Sequence, residues 1–127
     1  MDCWKKYTAS ELEESIRNDP LTQEKVKKTI KSKIVQIEFA GKLPSSVILP
    51  SGDRKYSVFI RENDNMDEQK IRLIHALNHA YREVSVFSDR ESGADCGIEE
   101  LIDAEARKFY SENKGFVDGL YETLRKK

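Results

Sequence analysis

Between residues 33 and 61 the apolar residues of this chain change period. Three short runs, "IVQIEF" (34–39), "SVILP" (46–50) and "KYSVFI" (55–60), are β-branched or aromatic and are separated by turn-rich "AGKLPS" and "SGDR". On either side the spacing returns to that of helices. A block of strands between blocks of helices excludes alternating βαβ units and predicts the α+β class. Because short turns join the runs, the expected sheet is antiparallel and three-stranded.

The helical blocks carry their own punctuation. Thr8 and Glu11 stand at capping-box spacing, so a short helix should begin there and stop near Asn18, ahead of Asp19-Pro20. A second, lysine-rich helix over 22–33 shows a narrow apolar stripe through Val26 and Ile30 in line with Leu21 and Ile34, its lysines forming a solvated face. Asp64 or Asn65 can cap a long helix that reaches about residue 84 or 87. Beyond "SDRESGADCG" two more helices are expected, over 98–113 and 116–125. At 127 residues this is one domain, with N-terminal helices over 1–34, a sheet over 35–61 and the remaining helices over 65–127.

Charge narrows the classes of partner. Lys and Arg number 22 against 23 Asp and Glu, which leaves no basic excess for direct nucleic-acid binding. No run approaches the ~18 apolar residues of a membrane span, and the first residues lack a signal-peptide core, so no membrane association and a cytoplasmic location are expected. Cys3 and Cys96 lack CxxC spacing and are expected to be free thiols; Cys96 is read as a bystander, with a ligand or switch role as the alternative.

The long helix carries the chemistry. In "IRLIHALNHAYREV" (71–84), Leu73, Ile74, Leu77, Tyr81 and Val84 form one apolar stripe, and His75 and His79 fall nearly opposite it, beside Glu68, Arg72 and Arg82. Their phase takes them off the core. Four residues of helix rise about 6 Å, close enough for two imidazoles to share one ion. Two imidazoles and one carboxylate suit Zn2+, with a fourth position left for water. The rival reading is a solvated pair, since HxxxH arises by chance.

A third ligand has to come from another element, and the following helix offers Glu99, Glu100, Asp103 and Glu105. Glu99 and Asp103 lie one turn apart, beside the stripe of Ile98, Leu101, Ile102 and Phe109. One of them can bind metal while the other accepts the distal N–H of a ligand histidine. In the competing reading both acids only solvate the surface and favour the helix N-terminus.

The segment "LPSSVILPSGDRKYSVFIRENDNMDEQKIRLIHALNHA" resembles the ImmA/IrrE-type metallopeptidases, members of the gluzincin group of zincins. The features shared are Leu43-Pro44 before a strand, a strand through Ile60, the acidic start "MDEQKIRLI", and His75-Ala-Leu-Asn-His79-Ala80 in place of H-E-x-x-H. Downstream, "IEELIDAEARKFY" resembles the family's acidic motif. Matching Ala106 and Phe109 places Asp103 at the ligand position, whereas the gluzincin E-x-x-x-D pattern selects Glu99 with Asp103 behind it, and the longer Glu99 is preferred. The resemblance spans roughly residues 40–113 and leaves the first forty without a counterpart.

The resemblance implies a minimal zincin-like fold, a Zn2+ cofactor and a zinc-dependent endopeptidase acting on a protein, typically a helix-turn-helix repressor. It also exposes a departure. Where the family has a glutamate that moves the proton of the metal-bound water, this chain has Ala76, and a methyl group transfers no proton. Either nature has lost the base or the substitution was made to trap an inactive form; an otherwise intact set of residues favours the second. Tyr56 or Tyr81 could stabilise an oxyanion, although Tyr81 lies on the core stripe. Two rival functions stand beside the peptidase: a natural pseudopeptidase serving as a protein-binding module, and an α+β interaction domain without metal.

Overall fold

In the computed structural model, residues 8–43, 46–52, 54–62, 65–84 and 96–126 are described. Their order is α1 (Ala9–Asn18), α2 (Gln23–Lys33), β1 (Ile34–Ala40), β2 (Val47–Pro50), β3 (Tyr56–Arg61), α3 (Met66–Arg82), α4 (Cys96–Glu112) and α5 (Lys114–Arg125). The fold is α+β. Pro44, Asp64, Cys3, residues 85–95, where a loop is expected, and the question of the two thiols lie outside the described residues.

The helix starts follow local chemistry. Thr8 and Glu11 close a reciprocal capping box, with Thr8 N–H donating to Glu11 Oε1 at 2.9 Å and Glu11 N–H to Thr8 Oγ1 at 3.1 Å. Thr22 caps α2 by accepting from Lys25 N–H, and Asn65 caps α3 by accepting from Glu68 N–H at 2.8 Å. Helix α3 stops at Arg82, because Glu83 adopts φ 58° and ψ 42° and turns the chain sharply.

The sheet corrects the antiparallel expectation. Its order is β1-β3-β2, with β1 parallel to β3 and β2 antiparallel to β3. The mixed arrangement follows from burial. Tyr56, Val58 and Ile60, on one face of β3, have no exposed surface, and Ser57 on the other face is also buried. Only a central strand is covered that way, so β3 lies between two more polar strands. β1 leaves Val35 58% exposed, and β2 leaves Val47 and Leu49 exposed while burying Ile48. Across the sheet Ile37, Val58 and Ile48 pair in one row.

The β2–β3 turn closes with Ser51 N–H donating to Lys55 O at 2.8 Å and uses Gly52 at φ 125°, a conformation that L side chains rarely adopt. Helix α3 packs on β3 and β2 with one side and on α4 with another. Leu73, Ile74 and Leu77 are buried, as their spacing predicts.

A second set of contacts fastens the N-terminal helices. Arg82, at the end of α3, is buried and pairs with Glu105 of α4 at 2.8 Å. Its guanidinium also donates to Asn78 Oδ1, to Ser15 Oγ and to Asp19 O. Glu105 accepts from Asn78 Nδ2 and from Leu21 N–H, each at 2.9 Å. Three helices and the link between α1 and α2 therefore meet on one satisfied ion pair. No helix among the described residues is long and apolar enough to cross a membrane.

Candidate metal centre

Helix α4 crosses the polar flank of α3, which changes the environment inferred for the histidines. His79 is 1% exposed and His75 retains 15% of its side-chain surface. The phase argument that took both off the core is corrected here: they leave the apolar stripe, but a second helix buries them. Arg82, read as part of the same solvated flank, is likewise covered.

The donor atoms converge. His75 Nε2 lies 3.2 Å from His79 Nε2 and 3.0 Å from Glu99 Oε1, and His79 Nε2 lies 2.9 Å from Glu99 Oε2. Bonds of ~2.0–2.1 Å to a tetrahedral ion place ligand atoms about 3.3 Å apart. His75, His79 and Glu99 thus form a group that could hold a metal ion.

The far side of each imidazole fixes which nitrogen faces the centre. His79 Nδ1 is 2.5 Å from Val84 O, a carbonyl that can only accept, so Nδ1 carries the proton. His75 Nδ1 is 3.1 Å from Asp103 Oδ1 and donates to it. The neutral tautomers then turn two Nε2 lone pairs toward each other and toward a carboxylate. Three acceptors meet without a donor of their own. Glu99 Oε2 is a buried oxygen with no hydrogen-bond partner despite its closeness to His79. A divalent cation satisfies such a set, as would extra protons on the imidazoles.

Electrostatics prepare both acids. Where the imidazoles carry those extra protons instead, burial still pushes the Glu99 carboxyl up, but hydrogen bonds from His75 and His79 and their charge outweigh it and hold the group at about 2. Burial likewise raises Asp103, whereas the Arg107 guanidinium and His75 prevail and keep it below the usual carboxylate range. Arg107 Nε donates to Asp103 Oδ2 at 2.7 Å while its other nitrogens donate to Glu68. Asp103 thus has one oxygen on His75 and the other on Arg107, whereas Glu99 is the carboxylate of the group that could hold an ion.

The remaining candidates fall elsewhere. Glu100 is exposed, and Glu105 belongs to the Arg82 network. Tyr56 is fully buried in the core, and the Tyr81 hydroxyl is engaged by Asp19, donating to its Oδ2 at 2.6 Å. Ala76 is 6% exposed and belongs to the apolar core cluster. Sequence reasoning passed over Val84 O and Arg107. The first is a backbone atom that no side-chain pattern encodes; the second was signalled by the i,i+4 spacing of Asp103 and Arg107. No protein-family model, no curated protein and no solved structure matches this chain.

Proposed function

We propose that this chain is a minimal zincin-like metalloprotein of ImmA/IrrE type, built to bind Zn2+ through His75, His79 and Glu99 with Asp103 in support. The observation that carries the reading is the convergence of two tautomer-fixed imidazole nitrogens on the Glu99 carboxylate, leaving a buried oxygen without a hydrogen bond. When bound, the ion supplies Lewis-acid chemistry, polarising a carbonyl and acidifying a water. The chain's own part is positional. Asp103 and Val84 O hold the imidazoles, and Glu99 joins α4 to the histidine helix.

In this reading the parent activity is endopeptidase cleavage of a protein, with a helix-turn-helix repressor as the substrate class that the resemblance suggests. The chain as it stands holds metal and cleaves little or nothing, since Ala76 has no group to take up a proton. That same residue favours the second reading, a pseudopeptidase that binds its protein partner without cutting it. Two measurements decide. Mass spectrometry of the purified chain should give about one zinc per chain, lost in His79→Ala; equal, substoichiometric metal in both overturns the metal reading. Ala76→Glu should then restore cleavage of a candidate repressor, whereas tight binding without cleavage assigns the pseudopeptidase.

A further inference from the structure

Among the described residues, two non-glycine residues have positive φ, Arg54 at 57° and Glu83 at 58°, and they are paired with each other. Arg54 Nη1 lies 3.1 Å from Glu83 Oε2. Glu83 is 3% exposed and also meets Lys33 Nζ at 3.4 Å, while the same ammonium donates to the carbonyls of Ala80 and Tyr81. A buried glutamate in the left-handed region is costly unless its surroundings hold it there.

The turn has a consequence one residue on. With Glu83 left-handed, Val84 N–H folds back to His79 O at 3.1 Å and Val84 O reaches His79 Nδ1 at 2.5 Å. That carbonyl is what sets the His79 tautomer. We propose that Glu83 is a positioning residue for the metal site: its left-handed turn, pinned by Lys33 and Arg54, holds Val84 O on His79 Nδ1 and leaves Nε2 free for a divalent cation. The inference rests on the proposed metal reading and gives α2, which the family resemblance leaves without a counterpart, a part in it through Lys33.

Glu83→Gly and Glu83→Val both delete the carboxylate and its pairs, but only glycine accepts φ near 58° without strain. We expect Glu83→Gly to keep the parent's zinc affinity, measured by chelator competition, and Glu83→Val to weaken it roughly 10- to 100-fold, the usual cost of losing a ligand's outer partner. Long-range 1H–15N spectra of the metal-free chains, taken on the alkaline side of the histidine range, report tautomers directly. His79 should be the Nδ1–H form in the parent and in Glu83→Gly and a mixture in Glu83→Val, with His75 unchanged. Equal affinity and an unchanged His79 tautomer in Glu83→Val, or an equal loss in Glu83→Gly, overturns the proposal. Should Glu83→Val fail to fold, Lys33→Ala combined with Arg54→Ala takes its place: an unaltered His79 tautomer there overturns the proposal as well. A parent that takes up no zinc defeats the metal reading alone, because the tautomer test still returns its own answer.

Discussion

Two carboxylate clusters join α3 to α4, and they differ in one respect. Around Glu105 every acceptor meets a donor: Arg82, Asn78 and the Leu21 N–H divide its two oxygens. Around Glu99 acceptors meet acceptors, and one buried oxygen lacks a hydrogen bond. Both acids belong to one helix, six residues apart, and both are matched to residues of the same partner helix. What separates them is whether the protein itself supplies the positive charge. The closed cluster is an internal fastening; the open one could hold a cation from outside.

The largest effect should come from unbalancing the closed cluster. Glu105→Ala leaves the Arg82 guanidinium buried and unpaired, and denaturant unfolding should show a loss of about 3–5 kcal/mol. Replacing both partners with apolar residues of similar volume should cost much less; an equal cost would mean that the pair is not balanced internally. Next, zinc at 100-fold excess over its Kd should stabilise the chain by ~2.7 kcal/mol. The increment should vanish in His79→Ala and survive in Glu105→Ala, and survival in both would erase the distinction between the clusters.

Acid should separate them further. In acid the two imidazoles are protonated, and in the folded metal-free chain their hydrogen bonds and charge hold the Glu99 carboxyl at about 2, below its ordinary 4.5. A carboxyl lowered on folding adds stability above the unfolded value and loses it as pH falls through the folded one, so this contribution should decline between pH 4.5 and about 2. Glu99→Gln should lack that part of the pH profile. The smallest effect on stability is expected from Arg107→Ala, because the guanidinium is 45% exposed in its pairs with Asp103 and Glu68 and such pairs contribute up to about 1 kcal/mol. Its zinc affinity should nevertheless fall several-fold, and should not fall further when Asp103→Ala is added.

Some of this was legible from residue order and some was not. Caps and stripes are local, so the Thr8 capping box, a cap at Asp64 or Asn65 and the row through Leu73 and Leu77 could be read directly. The metal group was legible because helical spacing puts His75 above His79 and Glu99 before Asp103, which makes each pair a neighbour pair. Strand order was not. Adjacent runs suggest a meander, yet Tyr56, Val58 and Ile60 need cover that an edge position does not give, and β3 moves to the centre. Burial of the histidines was missed for a similar reason, since the phase of one helix carries no information about the helix that will cross it. Glu83 is the extreme case: no residue type there announces a left-handed turn, and the charges that hold it come from residues 29 and 50 positions away.

The Arg82 guanidinium donates to Asp19 O and Ser15 Oγ, and Leu21 N–H donates to Glu105. The link between α1 and α2 is therefore tied to the interior through the Asp19 carbonyl and the buried Leu21, while Pro20 stays exposed. A protease that cut there would sever the backbone that these bonds hold. Such a cut would open a path for water to the buried Arg82–Glu105 pair at the end of the histidine helix, so the N-terminal helices and that helix should lose stability together.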